Sequence, residues 1–393
     1  MKILLLSFYY TPDIGPGPVR AKSLVDALVE ISDPGLEIDV LTTQPNRYQS
    51  LGASAPLSER TDNVSITRFR LPTHRSGMGD QAKAFMAFAN AVRKATNRKQ
   101  WDIVVATSSR LMTAVLGAWV AKRTGAKLYL DVRDLFTDTM GDVLAKSVLR
   151  VFMPGFCALE GRTFRAANKI NVLSAGFMSH VKQVAPGVQI NTFTNGIDAE
   201  FLNQNYASAA SNPVPLVLYA GNMGDGQGLH TIIPNAASAL QGKAQFLLIG
   251  DGGKRKVLEN LLVEKSVSNV QILNPVPRAK LFDKYRSADI LFLHLNDYNA
   301  FRKVLPSKIF EYSATGKPIL AGVGGYAADF LRDQVPGVEV FEPCDAAAMQ
   351  AALQRLLNGP RMINRSDFCL RYLRKNIMHE MAKDIYSLGG LSG

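Results

Sequence analysis

Short runs of Val, Ile and Leu alternate with longer amphipathic segments along most of the chain. The runs in the first half are Lys2–Phe8, Ile38–Thr43, Val64–Arg70, Ile103–Thr107, Lys127–Val132, Lys169–Leu173 and Gln189–Phe193. Those in the second half are Pro215–Ala220, Gln245–Ile249, Val270–Leu273, Ile290–His294, Pro318–Ala321 and Val338–Phe341. Runs this apolar predict parallel strands that are covered on both faces. The alternation with helices predicts an α/β protein with two doubly wound, Rossmann-like sheets.

A polar stretch of small residues, NQNYASAASNPVP, follows the segment Thr194–Asp198 and has the composition of a linker. A chain of 393 residues is long enough for two domains. We therefore predict an N-terminal domain over residues 1–198 and a C-terminal domain over 199–369, with a last helix at about 370–390 that packs back on the first domain. Because ligands of such sheets bind beyond the carboxyl ends of the strands, the expected site is a cleft between two facing domains.

The net charge of +12 is concentrated in part of the chain. The stretch from Arg68 to Lys99, which includes Arg75, contains Asp80 as its only acid, and a second basic stretch runs from Lys146 to Lys169. Such an excess indicates attraction to phosphates in a nucleic acid, an anionic membrane or a substrate. Because the first stretch lacks the interleaved aromatics of a base-stacking platform, we expect no nucleic-acid partner.

The cysteines and apolar runs indicate where the protein works. The three cysteines are widely separated, which fits a reducing compartment and structural roles. No apolar run is long enough to span a membrane, and the N-terminal run is too short for a signal peptide. We therefore expect a cytoplasmic protein, peripheral at the inner face of the plasma membrane. The segment 142–165 mixes apolar residues such as Phe152 with Arg150 and Arg162, as an interfacial helix pair would, although ordinary core helices look similar.

A glycine-containing loop follows the first strand. Gly15 and Gly17 precede an amphipathic helix over Val19–Leu28, whose N-terminus is suited to an anion or a sugar oxygen. Arg20 stands where the dinucleotide fingerprint GxGxxG needs its last small residue, so a Rossmann dehydrogenase is disfavoured.

The strand Lys127–Val132 ends in an acidic block, DVRDLFTD. It contains Asp131, Arg133, Asp134 and Asp138. Carboxylates at a strand end can orient a hydroxyl nucleophile or accept its proton. A helix cap combined with a local Arg–Asp pair is the alternative.

Glycines also follow two strands of the second half. Gly221 and the nearby Gly250 and Gly252 would let the backbone approach a ligand closely, although turns need glycine as well.

Further along, PSKIFEYSATG predicts a helix of about ten residues from Pro306 to a cap at Gly316. Ser307 and Lys308 at its start suit a diphosphate, and Glu311 on the same face suits the hydroxyls of a ribose. An ion pair between Lys308 and Glu311 is the alternative.

Together these motifs resemble a known family. The segments FYYTPDIGPGPVRAKSLVDAL, TNGID, GDG and LPSKIFEYSATGKPIL are similar to those of the retaining GT-B glycosyltransferases usually called family four, over nearly the whole chain. DVRDLFTD, YAGNMGDGQGL and PSKIFEY look like bacterial enzymes that add a sugar, often an acetamido-deoxyhexose, to surface polysaccharide precursors such as O-antigen or capsule.

The resemblance implies a nucleotide sugar held mainly by the C-terminal domain. The sequence leaves its base open between uracil and guanine, and we expect a UDP-sugar rather than a GDP-sugar. It implies an undecaprenyl-diphosphate-linked or polysaccharide acceptor on the N-terminal domain, and neither a metal nor a cofactor. Glu311 would bind the ribose, while Gly15 and Gly17 would border the donor phosphates. Asp134 is our candidate for orienting the acceptor hydroxyl, with Asp131 behind it. We assign Arg20, Arg150 and Arg162 to the acceptor and membrane side.

Two departures from the family pattern matter. Lys303 stands where the family commonly has a first glutamate, and Asn222 and Gln227 stand where it commonly has an arginine and a lysine. Because stabilising the leaving diphosphate is the main electrostatic task of such a site, we hypothesise that Lys303 and Lys308, joined by Arg302, supply the missing charge.

A nucleotide-sugar epimerase of the same fold is the competing interpretation. Such enzymes depend on acid and base groups at the site. His294, at a strand end, is the histidine that would matter most for that chemistry.

Overall fold

The computed structural model describes residues 1–13, 15–31, 35–46, 54–72, 78–108, 110–143, 148–207 and 212–390. Arg75, Lys146 and residues 208–211 of the predicted linker lie outside them. Within these ranges the chain forms two compact units. Unit 1 comprises residues 1–195 and 374–393, and unit 2 comprises residues 196–373.

The sheet of unit 1 has eight strands in the order β3-β4-β2-β1-β5-β6-β7-β8. They are β1 Lys2–Leu6, β2 Glu37–Thr43, β3 Ser58–Arg60, β4 Val64–Phe69, β5 Ile103–Ser108, β6 Lys127–Val132, β7 Lys169–Val172 and β8 Gln189–Asn191. All neighbouring strands pair in parallel except β3 and β4. β5 is buried along its whole length, which explains its continuous apolar run.

Helices cover this sheet and connect its strands. Those of unit 1 are α1 Pro16–Ile31, α2 Met78–Ala95, α3 Leu111–Thr124, α4 Phe136–Val143, α5 Met153–Arg165 and α6 Met178–Val184. A 3₁₀ turn over Val148–Phe152 leads into α5. Among the described residues, none of the helices is both long enough and apolar enough to cross a bilayer.

The sheet of unit 2 has six strands, all paired in parallel, in the order β11-β10-β9-β12-β13-β14. They are β9 Leu216–Ala220, β10 Gln245–Ile249, β11 Val270–Leu273, β12 Ile290–His294, β13 Ile319–Gly322 and β14 Val338–Phe341. Alternate residues of β9 enter different cores: Val217 and Tyr219 enter one, and Leu218 and Ala220 the other. Both faces are therefore buried, as expected for a doubly wound sheet.

The helices of unit 2 are α7 Ala199–Leu202, α8 Leu229–Ala239, α9 Arg255–Glu264, α10 Arg278–Ser287, α11 Lys308–Ala314, α12 Tyr326–Gln334, α13 Ala346–Leu357 and α14 Ser366–Arg371. The helix predicted from Pro306 is shorter than expected, because α11 begins at Lys308. Gly316, at φ +70°, follows its end as predicted.

The last helix, α15 Arg374–Tyr386, belongs to unit 1. Its residues Met378, Met381 and Ile385 pack in the same core as Leu24 and Leu28 of α1. The last helix predicted at about 370–390 is therefore α15, and the separate helix α14 precedes it in unit 2. The chain passes from unit 1 to unit 2 between residues 195 and 196, before the predicted boundary at 198. Tyr206 of the predicted linker is buried in the core of unit 2.

Candidate functional site

The strand ends of unit 2 carry a glycine loop, residues 221–228, directly after β9. Its backbone is tied to the end of β10, because Gly221 N–H donates to the Ile249 carbonyl at 2.9 Å and Met223 N–H donates to the Asp251 carbonyl at 2.8 Å. A side chain at Gly250 would collide with the Gly221 carbonyl. The predicted glycines thus let the two strand ends come together.

Lys308, the first residue of α11, lies against this loop. Its ammonium nitrogen is 5.1 Å from the centroid of the Tyr219 ring. Gly221 has φ +152°, and a Cβ atom there would collide with the Lys308 ammonium group. The sequence therefore brings a cation to the loop from a residue far along the chain, and glycine leaves the space that the cation needs.

The two positions where the family commonly has cations face each other. Asn222 Nδ2 donates to Gln227 Oε1 at 2.7 Å, and Gly224 N–H donates to the same oxygen at 3.3 Å. The two side chains thus close the loop on itself and bring no charge. Lys308 lies at the start of the same loop, against Gly221.

Arg302 and Lys303 end a 3₁₀ turn over Asn299–Lys303. Arg302 forms ion pairs with Asp297 at 3.0 Å and Glu342 at 3.6 Å, so carboxylates of unit 2 already compensate its charge. Lys303 is half-buried. The expected contributions of Arg302 and Lys303 to diphosphate binding both stay predictions.

Glu311 lies one turn into α11 and is half-buried, next to the N-cap residue Ser307. Burial of the Arg278 guanidinium works to lower its pKa, but the carboxylates of Asp198, Glu200 and Glu311 outweigh burial and raise it. Glu311 thus contributes to the electrostatic environment of Arg278, and its contact with a ribose stays a prediction.

His294, at the end of β12, supports the glycine loop through a hydrogen bond to its backbone. Its side chain is buried, Nδ1 donates to the Gln227 carbonyl at 2.7 Å, and Nε2 accepts from Cys344 N–H at 2.9 Å. Burial lowers its pKa to about 4. With both nitrogens bound to backbone groups, His294 is a supporting residue of the loop, and this arrangement leaves it no free nitrogen for acid–base chemistry.

The loop carries a further anchor that sequence reasoning missed. Asp225 accepts from the Tyr298 hydroxyl at 2.6 Å and pairs with Lys254 at 3.3 Å. Partial burial works to raise the Asp225 pKa, but Tyr298 and Lys254 outweigh it and lower the pKa. The GDG motif that contains Asp225 was a sequence signal for this anchor. It could not show the partner Lys254, because that residue follows a different strand, β10.

In unit 1, the acidic block that begins in β6 contains buried and exposed carboxylates. Asp131 is fully buried and accepts from Arg20 Nε and NH2, both at 2.9 Å, and from Asn171 Nδ2 at 2.6 Å. Burial works to raise its pKa, but Arg20 and Asn171 outweigh it and lower the pKa. Asp134, three residues later, is exposed in the loop before α4.

Two predicted roles are therefore wrong. Arg20 is 1% exposed and also donates to the carbonyls of Phe193 and Thr194, so it cannot reach an acceptor or a membrane. Asp131 has its oxygens occupied by Arg20 and Asn171 and acts as their structural partner. The partner of each residue is distant in the sequence, which is why the pattern alone could not show the pair.

Near Asp134, Asp138 contacts a polar cluster on α5 and α6. His180 Nε2 is 2.8 Å from Glu160 Oε1, and His180 Nδ1 is 3.6 Å from Asp138. The Thr137 hydroxyl donates to the buried Glu160 at 2.6 Å. These bonds fix the start of α4, which follows Asp134 in the chain.

At the start of α1, Gly17 is buried and a Cβ atom there would collide with the Arg133 guanidinium. Gly15, at φ +141°, precedes the helix. The structure thus places a cation against the first glycine loop.

The predicted membrane segment exposes apolar side chains. Val151 is 74% and Phe152 is 61% exposed, next to the exposed Arg150, and Arg162 is exposed on α5. Residues 144–147 of the predicted segment lie outside the described part of the chain.

The comparisons with known proteins agree with this architecture. A model of the family described as glycosyl transferase 4-like domain matches residues 18–196, and a model of glycosyl transferases group 1 matches residues 204–368. The protein is a glycosyltransferase. The similar Escherichia coli K12 protein WcaI, described as a colanic acid biosynthesis glycosyl transferase, is 23% identical over 98% of this chain and all of its own length.

Solved structures of GT-B proteins superpose on the whole chain of this glycosyltransferase. The lipopolysaccharide outer core galactosyltransferase WaaB matches with a TM-score of 0.64 at 12% identity, over 98% of this chain and 99% of WaaB. Anabaena HepE in complex with UDP-glucose matches with a TM-score of 0.60 at 14% identity, over 99% of this chain and 97% of HepE. A Listeria monocytogenes protein described as a UDP-N-acetylglucosamine 2-epimerase matches with a TM-score of 0.58 at 11% identity, over 100% of this chain and 97% of its own. These matches confirm the predicted GT-B fold class.

Proposed function

We propose that this glycosyltransferase moves a sugar, with retention of configuration, from a UDP-sugar to a lipid-linked oligosaccharide during assembly of a bacterial surface polysaccharide. The observation that carries the proposal is the Lys308 ammonium group against Gly221, at the strand ends where a diphosphate would lie. The similarity to WcaI and to HepE, which binds UDP-glucose, supports the pathway class and the donor base. An acetamido-deoxyhexose is the sugar we propose, on the sequence resemblance alone.

In this mechanism Lys308 neutralises the charge that develops on the leaving diphosphate, assisted by Lys303. The glycine loop, closed by Asn222 and Gln227, shapes the phosphate pocket, and Glu311 accepts bonds from the ribose hydroxyls. Asp134 orients the acceptor hydroxyl, and the diphosphate oxygen takes its proton as the sugar transfers. No metal takes part, so we expect EDTA to leave the transfer rate unchanged.

The donor site is tested first by calorimetry with UDP and GDP on the full-length protein. We expect selective binding of UDP, weakened by about tenfold to a hundredfold in Glu311→Ala because a charged hydrogen-bond acceptor is lost. Glu264→Ala, which removes an exposed acid on α9, is the matched control and should bind UDP as the wild type does. Failure of both nucleotides to bind a folded protein would overturn the donor assignment.

The role of Lys308 is tested by turnover. Lys308→Ala should lower kcat by about a hundredfold to a thousandfold, as removing one preorganised group at a developing charge does. Asn222→Ala should lower kcat less than tenfold, and Lys256→Ala, at an exposed site on α9, should not change it. Equal, small effects of Lys308→Ala and Asn222→Ala would contradict the assignment.

Epimerisation is distinguished from transfer by the products. Transfer releases UDP only with an acceptor present, whereas an epimerase makes a new nucleotide sugar from the donor alone. The occupied nitrogens of His294 argue against that residue as an epimerase acid or base.

We also propose that unit 1 docks on an anionic membrane through Val151 and Phe152. Inserting these side chains contributes about 1.5–3 kcal/mol each when burial is complete, and Arg150 about 1 kcal/mol near anionic lipid. Val151→Ser with Phe152→Ser should abolish flotation with phosphatidylglycerol vesicles. Val263→Ser, which removes an equally exposed apolar side chain from unit 2, should not affect flotation.

A further inference from the structure

Arg110 lies just beyond the end of β5 and is supported by aromatic side chains. Its guanidinium carbon is 4.3 Å from the centroid of the Phe8 ring and 5.5 Å from that of Tyr9. One guanidinium nitrogen, NH2, donates to the Tyr9 hydroxyl at 2.8 Å. Stacking on a ring and bonding to a hydroxyl fix the plane of the guanidinium group.

The segment that carries Tyr9 is itself held by buried hydroxyls. Ser7 Oγ donates to the Tyr9 carbonyl at 2.6 Å, and Thr107 Oγ1 donates to Ser7 Oγ at 3.0 Å. Phe8 is 1% exposed, so the ring under Arg110 belongs to the core. A cation on such a platform loses little conformational freedom when a ligand binds.

The charge of Arg110 is compensated differently from that of the buried arginines of unit 1, which form ion pairs. Arg20 pairs with Asp131, and Arg68 pairs with Glu59. In the part of the chain that the structure describes, the Arg110 guanidinium contacts the neutral Tyr9 hydroxyl and two rings, and no carboxylate lies within 4.0 Å of it. Arg110 is half-buried, and most of its five N–H donors remain available to a ligand.

Arg110 shares its edge of the sheet with Asp134. In the parallel pair β5 and β6, Ser108 lies opposite Val132, and each of the two charged residues follows its strand partner by two positions. The cation therefore lies on the same rim as the carboxylate that we propose to orient the acceptor hydroxyl.

We propose that Arg110 and Tyr9 form a binding site for a phosphoryl group of the acceptor, an inference that rests on the proposed function. The planar fork of a guanidinium group matches two oxygens of a phosphate, and the Tyr9 hydroxyl, which accepts from NH2, holds that fork in place. A sugar linked to its lipid by a diphosphate carries such a group next to the sugar that receives the transfer. Nothing in the sequence motifs marked this position, because Arg110 follows its strand without glycines or acids.

The probe for the site is inorganic pyrophosphate, titrated calorimetrically into the full-length protein saturated with UDP. We expect the wild type to bind pyrophosphate under these conditions, and Arg110→Gln to weaken binding by about tenfold to a hundredfold. Arg110→Lys, which keeps the charge but not the fork, should fall between them. Arg93→Gln, which removes an exposed charge from α2, should bind as the wild type does.

The outcomes separate this proposal from the donor assignment. The affinity for UDP should be the same in Arg110→Gln and the wild type; a parallel loss of UDP affinity would assign the guanidinium group to the donor and overturn the proposal. Equal pyrophosphate binding in Arg110→Gln, or an equal loss in Arg93→Gln, would also overturn it. If UDP fails to bind the wild type, the donor assignment falls, and the same titration without UDP still tests Arg110.

A second variant removes doubt about folding. Tyr9→Phe keeps the ring beneath the guanidinium group and removes only the hydroxyl. It should weaken pyrophosphate binding several-fold while the thermal unfolding midpoint changes little. Unchanged binding in Tyr9→Phe would exclude Tyr9 from the site.

Discussion

The two units of the protein keep buried charge in different ways. In unit 1, Arg20 and Asp131 neutralise each other inside the core. In unit 2, Lys317 and Arg365 are each 4% exposed, and their bonds within the described chain go to backbone carbonyls.

Of the carbonyl-bound cations of unit 2, Lys317 precedes β13 and Arg365 precedes α14. Lys317 Nζ donates to the carbonyls of Arg286 at 3.1 Å and Ala288 at 2.7 Å. Arg365 donates to the carbonyls of Pro336, Lys317 and Gly337. Burial lowers the pKa of Lys317, and it lowers that of Arg365 to about 10.

This difference teaches that a charged residue in a motif need not face a ligand. PSKIFEYSATGKPIL contains both Lys308, at the glycine loop, and Lys317, whose ammonium group donates to the backbone carbonyls of Arg286 and Ala288 at the end of α10. Removing one member of the unit 1 pair leaves a bare charge. Removing Lys317 leaves only carbonyl dipoles, which cost less to bury unpaired.

The largest effect is expected from Asp131→Asn. Leaving the Arg20 charge unpaired in the core should lower the free energy of unfolding of unit 1 by about 3–5 kcal/mol. Both tryptophans, Trp101 and Trp119, lie in unit 1, so urea unfolding followed by tryptophan fluorescence reports this unit.

Asp134→Asn is the matched control for that measurement. Because Asp134 is exposed, its loss should change the free energy by less than about 0.5 kcal/mol. Replacing the pair together, Arg20→Met with Asp131→Leu, should recover part of the lost stability, because no bare charge remains. A double variant as unstable as Asp131→Asn would show that the bonds to Phe193 and Thr194 matter more than the pair.

A middle-sized effect is expected from His294, which is buried in its neutral form. Its folded pKa of about 4 lies below the usual value of 6.5, so the unfolded chain binds a proton first as the pH falls. The contribution of neutral His294 to the free energy of unfolding is thus fully present above pH 6.5 and declines as the pH falls toward 4. Between pH 6.5 and 4.5 unit 2 of the wild type should lose about 2 kcal/mol more than unit 2 of His294→Asn.

The unit 2 transition for this test is the one seen by circular dichroism without a change in tryptophan fluorescence. Parallel pH profiles for the wild type and His294→Asn would show that the imidazole does not titrate on unfolding.

The smallest effect of the three is expected from Lys317→Met. The variant leaves two carbonyls without a donor but also removes a buried charge, so unit 2 should lose about 1–2 kcal/mol. Lys256→Met on the surface of α9 is the control, and circular dichroism on urea unfolding measures both. A loss as large as that of Asp131→Asn would remove the distinction between the two units.

The sequence predicted most of the fold because buried parallel strands have a recognisable composition. β6, β10, β11, β12 and β14 have the predicted bounds. β3 was missed because Ser58–Arg60 contains no apolar residue and pairs at an exposed edge.

The candidate site was harder to predict, because a one-dimensional pattern does not show which side chains meet. Gly221 and Lys308 were both singled out, but their contact depends on how two strand ends and α11 pack. Asp131 and Asp134 look equivalent in DVRDLFTD, but Asp131 lies in the buried strand β6 against Arg20 of α1, whereas Asp134 is exposed in the loop that follows.

The position of α15 in unit 1 has a consequence for how the protein is made. Unit 2 is one continuous stretch of chain, whereas the core of unit 1 includes Met378, Met381 and Ile385, which are synthesised after unit 2. At about 5–20 residues per second, the ribosome needs roughly 10–35 s to pass from the end of β8 to α15. During that interval the core of unit 1 lacks these three side chains. The first domain of the nascent protein therefore stays incomplete, and open to chaperones and proteases, even after all of the second domain has been synthesised.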